Sequence, residues 1–259
     1  MVKRKIDIGM AVGLLGGFVS IFGSFLLEGG QIGALMLGPA MIIVFGGTIA
    51  AAMIGTPIKI FRKTISLLGL ALAPPEFDIK PTIEHIVRFS SIARKEGLLM
   101  LDKESGSANN PFMEKMLKFL IDGADPGVLR GVAESETLYV TERHNQYIAI
   151  FQKMGGYSPT MGIIGTVMGL IATLASAGED PTILIKHIGS AFIATLWGVF
   201  MANIIWLPIA DKLKNINNEE RFYMELITEG ILAIQSGEVP TIIKAKLNSM
   251  LSKSEQVAG

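Results

Sequence analysis

The chain has 259 residues, half of them hydrophobic, with a mean hydropathy of +0.48 and a formal net charge of zero. So apolar a balance is foreign to an ordinary soluble domain. There is no cysteine, which excludes disulfides, thiol nucleophiles and thiolate metal sites.

The charges are unevenly placed. Residues 8–27, 32–54, 158–177 and 188–210 contain none. Each window matches the roughly 20 residues that a helix needs to cross a hydrocarbon core. Lipid offers the backbone no hydrogen-bond partner, so a spanning segment must be helical. The sequence predicts an all-α membrane protein with four transmembrane helices in two hairpins and a helical cytoplasmic domain between spans two and three. The first window is too long for a signal-peptide core and is followed at once by a second span.

In chain order, residues 1–57 form the first hairpin, with Lys3, Arg4 and Lys5 before it and residues 28–31 as its short outer loop. Residues 58–156 form the cytoplasmic domain. It opens on residues 58–73, an apolar stretch carrying Lys59, Arg62 and Lys63, which reads as one interfacial amphipathic helix ended by Pro74-Pro75. A helix follows from Pro81, with apolar positions at 83, 86, 87 and 90–93. Residues 105–111 are a break, 112–121 a short helix, and Asp122-Gly-Ala-Asp-Pro-Gly is turn chemistry. Residues 128–154 are a long helix expected to run through Gly155-Gly156 into the third span. Residues 157–210 are the second hairpin, with 178–187 as its outer loop. Residues 211–259 are a cytoplasmic tail with helices at 218–235 and 241–251.

Every Lys and Arg except Lys186 falls on one side of this arrangement. The positive-inside rule makes that side the cytoplasm and puts both termini there. The cytoplasmic loop is nearly balanced in acidic and basic residues, which argues against a nucleic-acid surface.

No Asp, Glu, Lys, Arg or His lies in any of the four windows. Intramembrane proton carriers normally show such a residue. Either the chain conducts nothing or a partner supplies the titrating group. The chain also lacks a His-Glu-x-x-His run, a phosphate-binding Gly-Lys-Ser/Thr loop and a Gly-x-Ser-x-Gly elbow. His85, His144 and His187 read as ordinary surface or core residues. No catalytic residue, metal or cofactor is expected.

In the third window Gly162, Gly165, Gly169, Ala172 and Ser176 share roughly one helical face. Two readings stay open: close packing within the subunit, or a surface facing a pore or a moving partner. Thr166 and Thr173 also share a face, and threonines in membrane helices often bond their own backbone. The fourth window carries Ser190, Thr195, Asn203 and Pro208. Pro159 and Pro208 stand at the inner mouths of the two hydroxyl-bearing spans. They read either as an ordinary helix start and stop or as a hinge.

Together these residues resemble the MotA family of flagellar stator subunits, within the wider group that includes TolQ and ExbB. The resemblance covers essentially the whole chain. Pro159-Thr-Met-Gly-Ile-Ile-Gly-Thr-Val-Met-Gly-Leu170 is similar to the family's third-span signature. Ala191-Phe-Ile-Ala-Thr-Leu-Trp-Gly198, with Asn203 and Leu207-Pro-Ile-Ala210, is similar to its fourth. Ala93-Arg-Lys-Glu-Gly-Leu-Leu-Met-Leu-Asp102 is similar to its rotor-facing segment.

The resemblance implies a partner, the single-span MotB, that supplies the ion-binding aspartate, and a homo-oligomer of five copies around two MotB helices in the bacterial inner membrane. It implies that Thr166 and Thr195 line the ion path and that Pro159 and Pro208 couple ion passage to motion. Arg94 and Asp102 would contact the rotor protein FliG, Asp102 standing where the family usually has glutamate. Eight residues apart, they are expected two turns along one helical face. Sodium-driven relatives tend to have two adjacent threonines in span four; Ala194-Thr195 here points to protons. The alternatives are a TolQ- or ExbB-like energiser and a membrane scaffold that conducts nothing.

Overall fold

The structure is a computed structural model that describes residues 5–106, 110–175, 181–253 and 256. Lys3, Arg4, residues 107–109 of the loop break, Ser176 and residues 178–180 of the second outer loop lie outside the described residues. Among the described residues the chain is helical, with no strand beyond an isolated bridge at Pro75. It divides into two compact units. One is formed by Met1–Pro75 with His144–Asn215, the other by Glu76–Arg143 with Ile216–Gly259.

In the first unit, the Ile8–Leu27 helix starts on an Asp7 cap whose Oδ1 accepts the Met10 amide at 2.8 Å. Asp7 Oδ2 pairs with the Lys212 ammonium. That hydrogen bond, more than any other influence, holds the Asp7 carboxyl below its ordinary range. The helix has no buried side chain, and Ile8, Val12, Leu15, Val19 and Leu27 are exposed. An apolar surface so extensive suits lipid or a neighbouring subunit.

Among the described residues, three helices are long and apolar enough to cross a membrane: Ile8–Leu27, Pro126–Ala175 and Leu184–Gln235. The window at 32–54, expected as one span, is divided. A short Ile32–Leu35 helix ends, Leu37 is extended at φ −91°, ψ 116°, and a second helix runs Gly38–Ile54. Pro39 is the cause: it has no amide for the carbonyl four residues back, Leu35, and its ring blocks a continuous helix there. The Gly38–Ile54 helix is about 26 Å long and contains a π turn at Ile42–Gly46. The expected interfacial helix is also two pieces, Ile58–Phe61 and Thr64–Leu72, parted by a turn at Arg62-Lys63.

The Pro126–Ala175 helix is continuous over 50 residues, carrying the chain through Gly155-Gly156 as the sequence predicts. The fourth window lies in Pro181–Phe200, a π turn at Met201–Trp206, and Leu207–Gln235. Pro208 does not stop this helix. The Leu207 amide donates to Ala202, five residues back. This wider turn gives the Pro208 ring room that an α turn would deny it.

The second unit has its own core. Ile83, Ile86 and Phe89 of the Ile79–Glu96 helix meet Met113, Met116, Leu117 and Leu120 of Pro111–Ile121, together with Leu226, Ile227 and Ile231. Ile243 and Leu247 of the Pro240–Ser249 helix close it. Gly230 is small because Ile86 fills its place: a Cβ there would sit 2.7 Å from Ile86 Cδ1. Thr82 Oγ1 shares a buried 2.7 Å hydrogen bond with the Tyr223 hydroxyl. Glu229 pairs with Arg130 at 2.9 Å and Lys246 at 3.3 Å.

Candidate functional site

The site is the seam between the Pro126–Ala175 and Pro181–Phe200 helices. The small face of the first meets a small face of the second. A Cβ on Gly162 would lie 2.9 Å from the Ala194 carbonyl oxygen, one on Gly165 would lie 2.6 Å from Ala194 Cβ, and one on Gly169 would lie 2.9 Å from Ala191 Cβ. From the other side, a Cβ on Gly198 would lie 2.7 Å from the Ser158 carbonyl oxygen. Backbones pack this closely only where side chains are missing. The three glycines thus pack inside the subunit, while Ile163, Ile164, Val167, Met168, Ile171 and Leu174 are left exposed. The Gly38–Ile54 helix joins the seam, since a Cβ on Gly47 would meet Met161 Sδ at 2.7 Å.

This crossing brings Thr166 and Thr195 together. Their hydroxyl oxygens are in direct hydrogen-bond contact. Thr166 Oγ1 also lies 3.1 Å from the Gly162 carbonyl oxygen and 3.0 Å from the Ala191 carbonyl oxygen. Two hydroxyl hydrogens therefore serve four oxygens, beyond the helices' own amide bonds. The cluster is rich in lone pairs, the kind of lining that can replace a cation's hydration shell or accept a proton donor. Both threonines are half-buried, so the cluster reaches the surface of the chain. Thr173 takes the other course open to a membrane threonine and bonds back to the Gly169 carbonyl at 2.9 Å. Asn203 is exposed and donates to Val199 at 2.9 Å.

Pro159 lies inside the long helix and has no amide to offer the Gly155 carbonyl four residues back. Lys153 donates to the Gly55 carbonyl and, at 3.3 Å, to Thr56 Oγ1. It thereby places a cation at the C-terminus of the Gly38–Ile54 helix, where the dipole favours one.

Arg94 and Asp102 lie in the second unit and do not share a helix. The Ile79–Glu96 helix ends at Gly97, whose φ of +89° with ψ 161° is closed to most side chains. A 3₁₀ turn at Leu98–Met100 follows, and Asp102 belongs to the separate Leu101–Ser105 helix. Both residues are exposed, and Arg94 Nη1 donates to the Gly237 carbonyl at 3.2 Å.

Sequence reasoning missed the counter-surface, Ala191, Ala194 and Gly198, although small residues at these helical intervals are a readable signal. It also missed buried Ser158, and the indole of Trp197, which donates to the Leu35 carbonyl at 2.9 Å.

Profiles of two families match the chain: the N-terminal part of motility protein A over residues 11–97, and the MotA/TolQ/ExbB proton channel family over residues 104–226. The chemotaxis protein PomA of Vibrio alginolyticus is 33% identical over 96% of this chain and 97% of its own. Motility protein A of Bacillus subtilis is 32% identical over 95% and 91%. The structure of C. jejuni MotAB superimposes with a TM-score of 0.92 at 27% identity, covering 98% of this chain and 99% of that one. Near-complete coverage by relatives above 30% identity leaves one conclusion: the chain belongs to the MotA/TolQ/ExbB proton channel family and is a MotA-type flagellar motor stator subunit.

Proposed function

We propose that this chain conducts protons across the bacterial cytoplasmic membrane in concert with a MotB-like single-span partner, and that the flow is converted into torque on the rotor. The carrying observation is the oxygen cluster of Thr166 and Thr195, which stands in spans that hold no titratable side chain. Such a cluster can guide a proton but cannot store its charge. A carboxylate brought by the partner completes the path. C. jejuni and B. subtilis relatives were solved as MotAB complexes, which supports a partner of this kind.

In this reading several copies, five by family likeness, surround the partner helices. The four charge-free segments span the membrane with both termini in the cytoplasm, as the basic residues favour. Residues 1–57 and 157–210 are the membrane hairpins, and residues 58–156 and 211–259 are cytoplasmic. Pro159 and Pro208 act as the hinge that turns ion passage into motion. Arg94 and Asp102 meet the rotor protein FliG from two separate helices. Ala194 beside Thr195 leaves one hydroxyl too few for a sodium shell, which favours protons.

The test is ion leak in cells producing this chain with a MotB-like partner whose periplasmic plug is removed. Acidification of the cytoplasm is expected, and Thr195→Val should remove most of it. A leak-free parent, or a Thr195→Val variant that leaks like the parent, would sink the reading in favour of a non-conducting scaffold.

A further inference from the structure

We propose that Trp197 is a positioning residue of the ion path: its indole N–H, bonded to the Leu35 carbonyl, holds the Thr195 turn against Thr166. The inference rests on the conduction reading above and names a residue that reading does not use.

The argument starts from Pro39. The Leu35 carbonyl ends a one-turn helix, and the residue that would serve it from four positions on has no N–H. A carbonyl unserved in an apolar interior is costly. Trp197 supplies the donor from another element, 2.9 Å away and buried. The break in the second window and the fourth-window helix are therefore tied by one polar bond.

Trp197 and Thr195 are two residues apart, about 200° around a helix. Thr195 faces Thr166, and Trp197 lies behind it. Rings of Phe22, Phe45 and Phe200 stand 5.7, 5.8 and 5.6 Å from the indole. On another side the indole borders an apolar cavity of about 520 Å³, also lined by Phe18, Phe22, Leu35 and Met36. The ring is buried, and its aromatic neighbours leave one side open to the cavity; the directed hydrogen bond is the polar contact that fixes which way its N–H faces. Ala194, one residue before Thr195, packs against Gly165 with no spare room. A shift of the Trp197 turn is thus felt at the threonine pair.

Two replacements separate the donor from the bulk. In Trp197→Phe the apolar mass is largely kept and the N–H is lost. In Trp197→His the five-membered ring keeps Nε2 where the indole nitrogen was, while the six-membered ring is lost. Leak is measured at pH 8, where the imidazole is neutral, with the unplugged partner. It is divided by the amount of assembled complex, so that lost assembly does not count as lost conduction.

The expected result is a leak per complex at least 5-fold lower in Trp197→Phe, with at least half the parent value in Trp197→His. A Phe variant that leaks like the parent, or a His variant more impaired than Phe, overturns the proposal. If only Trp197→His assembles, its leak decides: at least half the parent value supports the proposal and less overturns it; if only Trp197→Phe assembles and leaks normally, the proposal fails. If neither assembles, the indole N–H deformation band of the parent, separated from that of Trp206 by Trp206→Phe, decides. A hydrogen-bonded position supports the proposal and a free position refutes it. A parent that does not leak defeats the conduction reading instead. A parent that leaks, with Thr195→Val silent and Trp197→Phe unchanged, defeats this inference alone.

Discussion

Gly162 and Gly198 each occupy the space that a side chain on the other would need. A Cβ on Gly198 would lie 3.1 Å from Gly162 Cα, and one on Gly162 would lie 3.4 Å from Gly198 Cα. The nearest atom to a Gly198 Cβ is the Ser158 backbone oxygen, which cannot swing aside as a side chain can. Gly198→Ala is therefore expected to force the helices apart at a cost of about 1–3 kcal/mol. Thermal unfolding of the solubilised complex measures it. Gly189→Ala on the same helix, with nothing within 4 Å, is the control and should not lower the midpoint.

Thr166 and Thr195 share one hydrogen bond, so their losses should not add. Thr166→Val and Thr195→Val are each expected to remove most of the leak, and the double variant to be no worse than the poorer single. Multiplied effects would show that the two hydroxyls act separately.

Asp7 gives a pH dependence with a definite sign. The Lys212 bond and the Met10 amide hold its folded pKa below the ordinary value of 3.8. The contribution is therefore fully present above about pH 3.8 and fades as pH falls through the lower folded value. Asp7→Asn should flatten that acid limb of a melting-temperature profile. Asp7→Ala also loses the cap and should cost about 1 kcal/mol at neutral pH. An Asp7→Asn profile that falls as steeply as the parent's would contradict the assignment.

Gly97 makes the corner between Arg94 and Asp102 at a φ of +89°. Gly97→Ala should strain the backbone by about 1–3 kcal/mol and displace one charge from the other. Swimming speed is expected to fall while membrane assembly persists. Full speed in the Ala variant would count against a rotor role that depends on their present spacing.

Gly230→Val tests the second unit's core. The added methyls collide with Ile86, which is fully buried, and overpacking of this kind costs about 1–3 kcal/mol. Gly131→Val, in open space, separates the collision from helix propensity.

Much of this architecture was legible in the residues because the strongest signals are local. The absence of charge from 8–27 needs no knowledge of the fold. The passage of a helix through Gly155-Gly156 followed from a long helical stretch meeting a charge-free window with only two glycines between them. The glycine face at 162, 165 and 169 was legible as a small surface, but whether it packed inward or faced a pore depended on Ala191, Ala194 and Gly198, which are remote in sequence. The break at Leu37 was hidden because proline acts upstream of itself: Pro39 leaves its mark at Leu35. The shared face assumed for Arg94 and Asp102 failed at Gly97, where a positive φ replaced the helical turn that spacing alone suggests. The two π turns have no composition of their own, being a shift of one residue in hydrogen-bond partner.

That shift has a bearing on how sequences of this kind can change length. A π turn holds one more residue than the α turn it replaces. A chain lacking one residue between Met201 and Trp206 could close that turn as α and keep Thr195 and Ile209 in phase. The same deletion between Thr195 and Phe200 would rotate every later position by about 100° against Thr195. Met201–Trp206 is thus where a one-residue deletion is tolerated in an otherwise register-locked helix, and an alignment gap belongs there.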